Sequence, residues 1–291
     1  MRIVLTGSSG RIGRAIYNAL AADHDVIGID RTPFGTTAIV GDLVDGELLE
    51  RVMEGADAVI HTAALHAPHV DAVDDQEFER VNVMGTHLVI AAAQAAGVGR
   101  IVFTSTTALY GHAVRDGSCA WITEETPPKP HTIYHHTKLA AEALLENAAD
   151  RALYVRVLRM SRSFPEAADK VAGYRLHRGI DVRDVAAAHV AALDNGGPAF
   201  QRYIISGETP FLPTDCRRLA EDAAGLLRER APKLSQAFAD RGWTLPMTID
   251  RVYDPSSAIE KLDWKPRFGF KEVLAQLDRQ SLEVLPVRSL S

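Results

Sequence analysis

Short apolar runs and longer stretches of helical period alternate along the first half of the chain. Apolar, β-branched runs near Arg2–Thr6, Val26–Asp30, Ala38–Gly41, Ala58–Thr62, Ile101–Thr106 and Leu153–Leu158 each read as a buried strand. Between them, helical periodicity predicts Arg11–Ala22, Glu47–Glu54, Gln76–Ala96 and Thr132–Asn147, with Gly97 as a stop after the third helix. This alternation predicts an α/β fold, a doubly wound parallel sheet with ligands at the C-terminal strand ends. After Arg159 the pattern loosens. Helices read near Arg183–Leu193, Thr214–Arg228, Ser256–Lys261 and Lys271–Arg279, with short strands near Tyr203–Ser206 and Thr248–Val252. The expected organisation is a sheet domain over residues 1–160 and a smaller region over 161–291 that interleaves with the sheet edge. The stretch Asp116–Thr132, rich in Pro, Thr and charge, reads as a mobile loop. The Ala-rich helix Leu88–Ala96 suits either a second subunit or the chain's own core.

Composition narrows the class. Of 291 residues, 46% are apolar and 24% charged, ample for a sizeable core. A net charge of −6 without a basic stripe disfavours nucleic acid as a partner. Cys119 and Cys216 are too few for a disulfide framework and lack metal-site spacing. No run approaches a membrane span, and the first apolar run is too short for a signal-peptide core. The sequence therefore reads as a soluble protein of the reducing cytoplasm. His66 and His69, and His135 and His136, are the closest histidine pairs; the first has a proline between its members and no nearby Cys or paired carboxylate, and in the second only one member can share the face of Tyr134, so neither reads as a metal site.

Candidate chemistry changes the picture more. Gly7, Gly10 and Gly13 follow the first strand at a Gly-x-x-Gly-x-x-Gly spacing and open a helix. Gly7 permits a tight turn, Gly10 lets backbone approach a pyrophosphate, and Gly13 allows close helix–strand packing. The helix N-terminus adds unpaired N–H groups and a positive dipole end. Asp30 ends the second strand, where a carboxylate accepts from both ribose hydroxyls and repels a 2′-phosphate, so NAD is expected over NADP. Arg31 and Arg11 keep NADP as the alternative, because either could meet that phosphate. Asp42 is placed to bind the adenine amino group. Tyr134 and Lys138 stand four residues apart, on one helix face. An ammonium beside a phenol favours the phenolate, a base able to take an alcohol proton while a hydride leaves the same carbon.

With these pieces in order, the chain resembles the extended short-chain dehydrogenase/reductases of the NAD-dependent epimerase/dehydratase family, whose Rossmann-type fold carries a smaller C-terminal substrate-binding region. The matching motifs are TGSSGRIG at Thr6–Gly13, GDL at Gly41–Leu43, HTAA at His61–Ala64, NVMGT at Asn82–Thr86, STTALYG at Ser105–Gly111 and YHHTK at Tyr134–Lys138. DVRDVAAAH at Asp181–His189 and LDWKP at Leu262–Pro266 also match. The resemblance implies a catalytic trio of Thr106, Tyr134 and Lys138, with Lys138 also on the nicotinamide ribose. It implies cofactor contacts from Ser9, Arg11 and Ile12 around the glycines, from Arg31 beside Asp30, and from Leu43 beside Asp42. Thr62, Ala63 and Ala64 complete that set. It further implies a homodimer formed through a helical bundle.

Two departures bear on the substrate. In the 4,6-dehydratases of the family the catalytic Thr is followed by Asp and Glu; here Thr107 and Ala108 follow Thr106, which disfavours water elimination. Arg162 stands where the family's substrate-side Asn is expected, and Pro165–Asp184 is shorter than the family's usual stretch, which helps clamp a nucleotide diphosphate. A smaller substrate or a more open site follows, with Arg162, Arg175 or Arg178 available to grip a carboxylate or phosphate. His66 and Thr107 are further candidate substrate contacts. The leading expectation is an epimerase/dehydratase-type oxidoreductase acting on a secondary alcohol of a small-molecule sugar, sugar nucleotide or sugar-like substrate. The alternatives are a simple dehydrogenase or reductase of a sugar acid, ketone or aldehyde, and a non-catalytic dinucleotide sensor.

Overall fold

The computed structural model describes residues 1–287, so the last four residues of the expected 161–291 region lie outside the described residues. Seven strands form the main sheet: β1 (Arg2–Thr6), β2 (Asp25–Asp30), β3 (Ile39–Val40), β4 (Ala58–His61), β5 (Arg100–Thr106), β7 (Tyr154–Met160) and β8 (Phe200–Ile205), in the order β3-β2-β1-β4-β5-β7-β8. The registers are parallel, with Ile3 opposite both Val26 and Ala58, and Val59 opposite Ile101. The order reverses between β1 and β4. Ligands of such sheets sit at the C-terminal strand ends beside that reversal. There Thr6, the last residue of β1, lies opposite His61, the last residue of β4. Ile3, Val4 and Leu5 are fully buried, as continuous apolar strands in a sheet covered on both faces must be.

The chain divides into two compact units. The first comprises Met1–Leu109, Pro130–Arg159 and Val185–Tyr203; the second comprises Tyr110–Lys129, Met160–Asp184 and the chain from Ile204 onward. In the first unit, α1 (Arg11–Leu20), α2 (Gly46–Met53), α4 (Gly85–Ala95) and α5 (Ile133–Ala148) supply the helices. Val89, Ile90, Ala92 and Ala93 of α4 are buried in this unit's own core, so burial within one chain accounts for the apolar face of that helix. The predicted helix Gln76–Ala96 is not uniform. A short turn, α3 (Asp75–Phe78), runs into π-helical Glu79–Met84 before α4 begins. Asn82 lies in the π segment and explains its placement: its amide bonds both the N–H and the C=O of Leu65 and the Thr137 hydroxyl, at 2.8–3.1 Å. One side chain thereby ties the loop after β4 to α5.

Thr132 caps α5 by accepting from the His135 amide, and the His135 ring returns a bond to the Thr132 N–H. Thr132→Ala is expected to cost ~1 kcal/mol, read as a lowered denaturant midpoint at unchanged slope.

The second unit departs more from the periodicity. Ala120–Ile122, expected to be mobile loop, is strand β6 and pairs in parallel with β9 (Arg251–Tyr253), which Trp121 Nε1 reinforces by donating to Asp254 at 2.8 Å. The predicted Thr214–Arg228 helix breaks at Asp222 into α8 (Cys216–Glu221) and α9 (Ala223–Arg230), because the Asp222 carboxylate caps α9 at Gly225 N. Helices α6 (Ala168–Tyr174) and α10 (Pro232–Asp240) were not anticipated. The remaining helices of this unit are α11 (Ser256–Leu262) and α12 (Phe270–Asp278), while α7 (Val182–Asp194) lies from Val185 onward in the first unit. Among the described residues no helix is long and apolar enough to cross a membrane.

Candidate active site

The turn after β1 needs glycine for geometric reasons. Gly7 sits at φ +75°, a region that side chains rarely adopt. A Cβ there would also stand 2.5 Å from Thr62 Oγ1 and 2.6 Å from the Ala63 nitrogen. A Cβ on Gly13 would run into the Gly7 carbonyl oxygen. Gly10 has a different part. It N-caps α1 in extended conformation and, as glycine, brings no side-chain cap. The nearest atom to a Cβ at Gly10 would be the Gly7 oxygen, at 3.3 Å. The helix start, with its first-turn N–H groups and positive dipole end, thus presents bare backbone at Gly10, a surface that suits a pyrophosphate. Arg11 and Ile12 begin this helix, half-buried.

At the end of β2 the Asp30 carboxylate accepts from Ser9 N at 3.0 Å and Thr32 N at 2.9 Å. These bonds fix its orientation and leave each oxygen a further lone pair for a ribose hydroxyl. The neighbouring cations have partners of their own. Arg31 pairs with Glu77 at 3.3 Å, and Arg80 bridges Glu77 and Asp42. Burial raises the Asp42 carboxyl, but the Arg80 bond and charge outweigh it and hold the group below its usual range. Leu43 is a core residue. Thr62 donates to the Thr6 carbonyl at 2.7 Å, and Ala63 N donates to Thr6 Oγ1, so HTAA is laced to the end of β1. His61, fully buried, bridges the hydroxyls of Thr6 and Thr86, and desolvation pushes its ring down to about 3. It is a neutral strut.

Tyr134 and Lys138 project inward from α5, 8% and 4% exposed. The Tyr134 hydroxyl lies close enough to the side chain of Thr106, the last residue of β5, for that side chain to favour the phenolate. Lys138 Nζ donates to the Thr104 carbonyl at 2.8 Å and lies 4.4 Å from the Phe103 ring centroid. Burial pushes the phenol up to about 12, against the opposing effect of Thr106, and pushes the lysine down to about 7. The phenol is therefore not lowered as expected. Both groups lie where a lone charge is poorly solvated, and the lysine's own charge is weakened by the same burial that opposes the phenolate. Thr107 is buried beside Thr106. The His66 ring, half-buried, is pushed down to about 4 by burial first, then by His69 and Lys138; the backbone N–H of His66 donates to His69 Nδ1.

Arg162 belongs to the second unit, where Glu166 takes its guanidinium through two bonds. Arg175 pairs with Asp181 and Arg178 with Asp250. All three arginines expected to grip an anion thus already hold a carboxylate. Sequence reading gave no role to Asn82 or Glu142, and took Ser105 only as the neighbour of Thr106. The NVMGT motif contained the first, but its reach to Leu65 and Thr137 depends on a fold that the motif does not spell out.

Residues 3–170 match the model of the NAD dependent epimerase/dehydratase family. Among curated proteins, the chain is 38% identical over 160 residues to the L-arabinose 1-dehydrogenase (NAD(P)(+)) of Haloferax volcanii, covering 52% of this chain and 62% of that protein. It is 28% identical over 319 aligned positions to the dTDP-glucose 4,6-dehydratase of Streptomyces antibioticus, covering 95% and 91%. Among solved structures, a short-chain dehydrogenase/reductase superfamily protein from Agrobacterium tumefaciens with bound NAD superposes at a TM-score of 0.72 and 24% identity, covering 96% of this chain and 98% of that one. With more than half of its 291 residues matched by the family model, the chain belongs to the NAD dependent epimerase/dehydratase family.

Proposed function

We propose that this chain is an NAD-dependent oxidoreductase acting on a secondary alcohol of a sugar, sugar nucleotide or sugar-like compound, with Thr106, Tyr134 and Lys138 as catalytic residues. One observation carries the reading: Tyr134 and Lys138 are buried one helical turn apart with Thr106 near the phenol, in the unit that also holds the glycine turn. Bound nicotinamide supplies the hydride acceptor. Tyr134 Oη takes the proton of the substrate alcohol, and Thr106 Oγ1 holds the alcohol oxygen against it. In a dry site a lone phenolate or a lone ammonium is costly. Forming both together offsets the two penalties, and this is the contribution of Lys138.

A second reading, a simple dehydrogenase of a small non-nucleotide substrate, is favoured by the paired arginines and by Thr107 and Ala108 in place of carboxylates. The relative that oxidises a free sugar is consistent with it. The test is nicotinamide absorbance on mixing the protein with NAD and either free sugars and sugar acids or nucleotide-linked sugars. Accumulating NADH in the first set supports the simple dehydrogenase. An altered stereocentre by NMR without net NADH supports an epimerase, and neither change in any mixture overturns both readings.

NAD is proposed over NADP because Asp30 stands where a 2′-phosphate would be repelled. Asp30→Ala is expected to raise the NADP:NAD affinity ratio by roughly tenfold to a hundredfold, or ~1.4–2.7 kcal/mol. Titration calorimetry with both cofactors checks this, and equal affinities in the unaltered protein would refute the preference.

A further inference from the structure

One helical turn beyond Lys138, the same face of α5 carries Glu142, 1% exposed and without a part in the chemistry above. Its carboxylate accepts from Ser105 Oγ at 2.5 Å. Arg159 Nε reaches its two oxygens at 3.0 and 3.2 Å, Arg159 Nη2 reaches Oε2 at 2.5 Å, and Arg202 Nε stands 3.4 Å from that oxygen. Ser105 and Arg159 lie on β5 and β7, and Ser105 immediately precedes Thr106. The carboxylate therefore sits where the helix bearing Tyr134 and Lys138 meets the strand bearing Thr106.

We propose that Glu142 is a positioning residue for Lys138: held by Arg159 and Ser105, its fixed negative charge keeps the lysine an ammonium in a site that otherwise expels charge. The proposal rests on the assignment of Lys138 to the hydride-transfer site.

The surroundings of Lys138 support it. The titratable groups that act on or face the lysine are Tyr134 and Glu142 on α5, His61 on β4, and His66 in the loop after β4. Both imidazoles are held neutral by burial and so supply no charge near neutrality. Desolvation works against the ammonium, and Glu142 is the group whose charge works for it. A buried ion pair is often no more stable than an apolar pair of similar volume. A staple between helix and strand alone would not need its anion one helical turn from the lysine on the same face of α5. Arg159 and Arg202 take part of that charge, so the field at Lys138 depends on both sides of the pair.

The test reads Lys138 directly. Of the chain's seven lysines Lys138 alone is buried and the other six are exposed, so its signal stands apart in protein carrying 13C at the lysine ε carbon. Lys138→Met assigns it. In Glu142→Gln the Lys138 titration midpoint is expected to fall by about one pH unit, and kcat/KM at pH 7 to fall roughly fivefold with its high-pH limb moved to lower pH. In Arg159→Met, which leaves the carboxylate without its main partner, the midpoint is expected to rise. A Lys138 midpoint unchanged in folded Glu142→Gln overturns the proposal. If that variant does not fold, an unchanged or lowered midpoint in Arg159→Met overturns it, and Glu142→Asp, which keeps the charge, decides if neither folds: its midpoint must stay within about half a unit of the unaltered protein. The titration needs no substrate. Failure to find turnover with any alcohol would therefore sink the assigned chemistry while leaving the Glu142–Lys138 coupling measurable.

Discussion

Tyr134→Phe is expected to lower kcat by roughly 10²- to 10⁴-fold, ~3–5 kcal/mol of transition-state stabilisation, while NAD still binds. The ring stays in its apolar cluster with Leu65, Phe78 and Val81, so the fold has little reason to change. Only the hydroxyl is lost. Thr106 is not stranded by that loss, because its oxygen also accepts from Ala108 N at 3.1 Å. The measurement is a single-turnover rate beside a cofactor titration on the same preparation. Slowed turnover with intact binding is the signature of a group needed for the proton and not for the pocket. Undiminished turnover would remove Tyr134 from the chemistry, and a parallel loss of binding would mark it as structural. The phenol also sets the direction of the pH dependence. Burial pushes it up to about 12 and the Lys138 ammonium down to about 7, so alcohol oxidation is expected to speed up as pH rises toward neutrality and to gain less above it, where loss of the Lys138 proton opposes the phenolate.

What sequence could reveal divides by range. The strands β1, β2, β4 and β5 and the turn at Gly7–Gly13 were readable because each depends on a local run: continuous apolar residues, or glycines at fixed spacing. The helix bearing Tyr134 and Lys138 was readable for the same reason, and its cap at Thr132 follows from a side chain bonding amides three residues away. The pairing of β6 with β9 was not legible, because three residues carry too little pattern and their partner lies 131 positions on, as the Ala120↔Arg251 register shows. The π segment escaped notice because its cause is the long-range reach of Asn82 to Leu65 and Thr137. The electrostatics of the site failed for the same reason. Spacing put an ammonium beside a phenol, but nothing local says that both are buried or that Glu142 is held beneath them by residues of β5 and β7. Arginine positions misled in the opposite direction. Arg162, Arg175 and Arg178 looked available, and each has a carboxylate partner that periodicity does not reveal.

Gly13→Ala is the substitution expected to do most damage for its size. The added methyl would run into the Gly7 carbonyl oxygen, and the Gly7 carbonyl carbon and Ser8 Cα lie within 3 Å of it. These are backbone atoms of the turn, so no side chain can swing aside. Either α1 must back away from β1 or the turn must deform. Gly7 is already held at φ +75° between Thr62 and Ala63, so deformation there is resisted as well. Backing off separates the helix start, with its first-turn N–H groups, from the strand end. The expected cost is ~1–3 kcal/mol of stability, typical of overpacking, despite the better helix propensity of alanine. NAD affinity is expected to fall by tenfold or more, about 1.4 kcal/mol. Gly10→Ala is the control. Its Cβ would meet only the Gly7 oxygen, at 3.3 Å, so stability should be nearly kept while cofactor binding suffers. Thermal unfolding with and without NAD separates the two. If Gly13→Ala keeps both its melting temperature and its NAD-induced shift, close packing of α1 on the turn is not what forms the binding surface. If Gly10→Ala binds NAD normally, the backbone at Gly10 is not where the pyrophosphate lies.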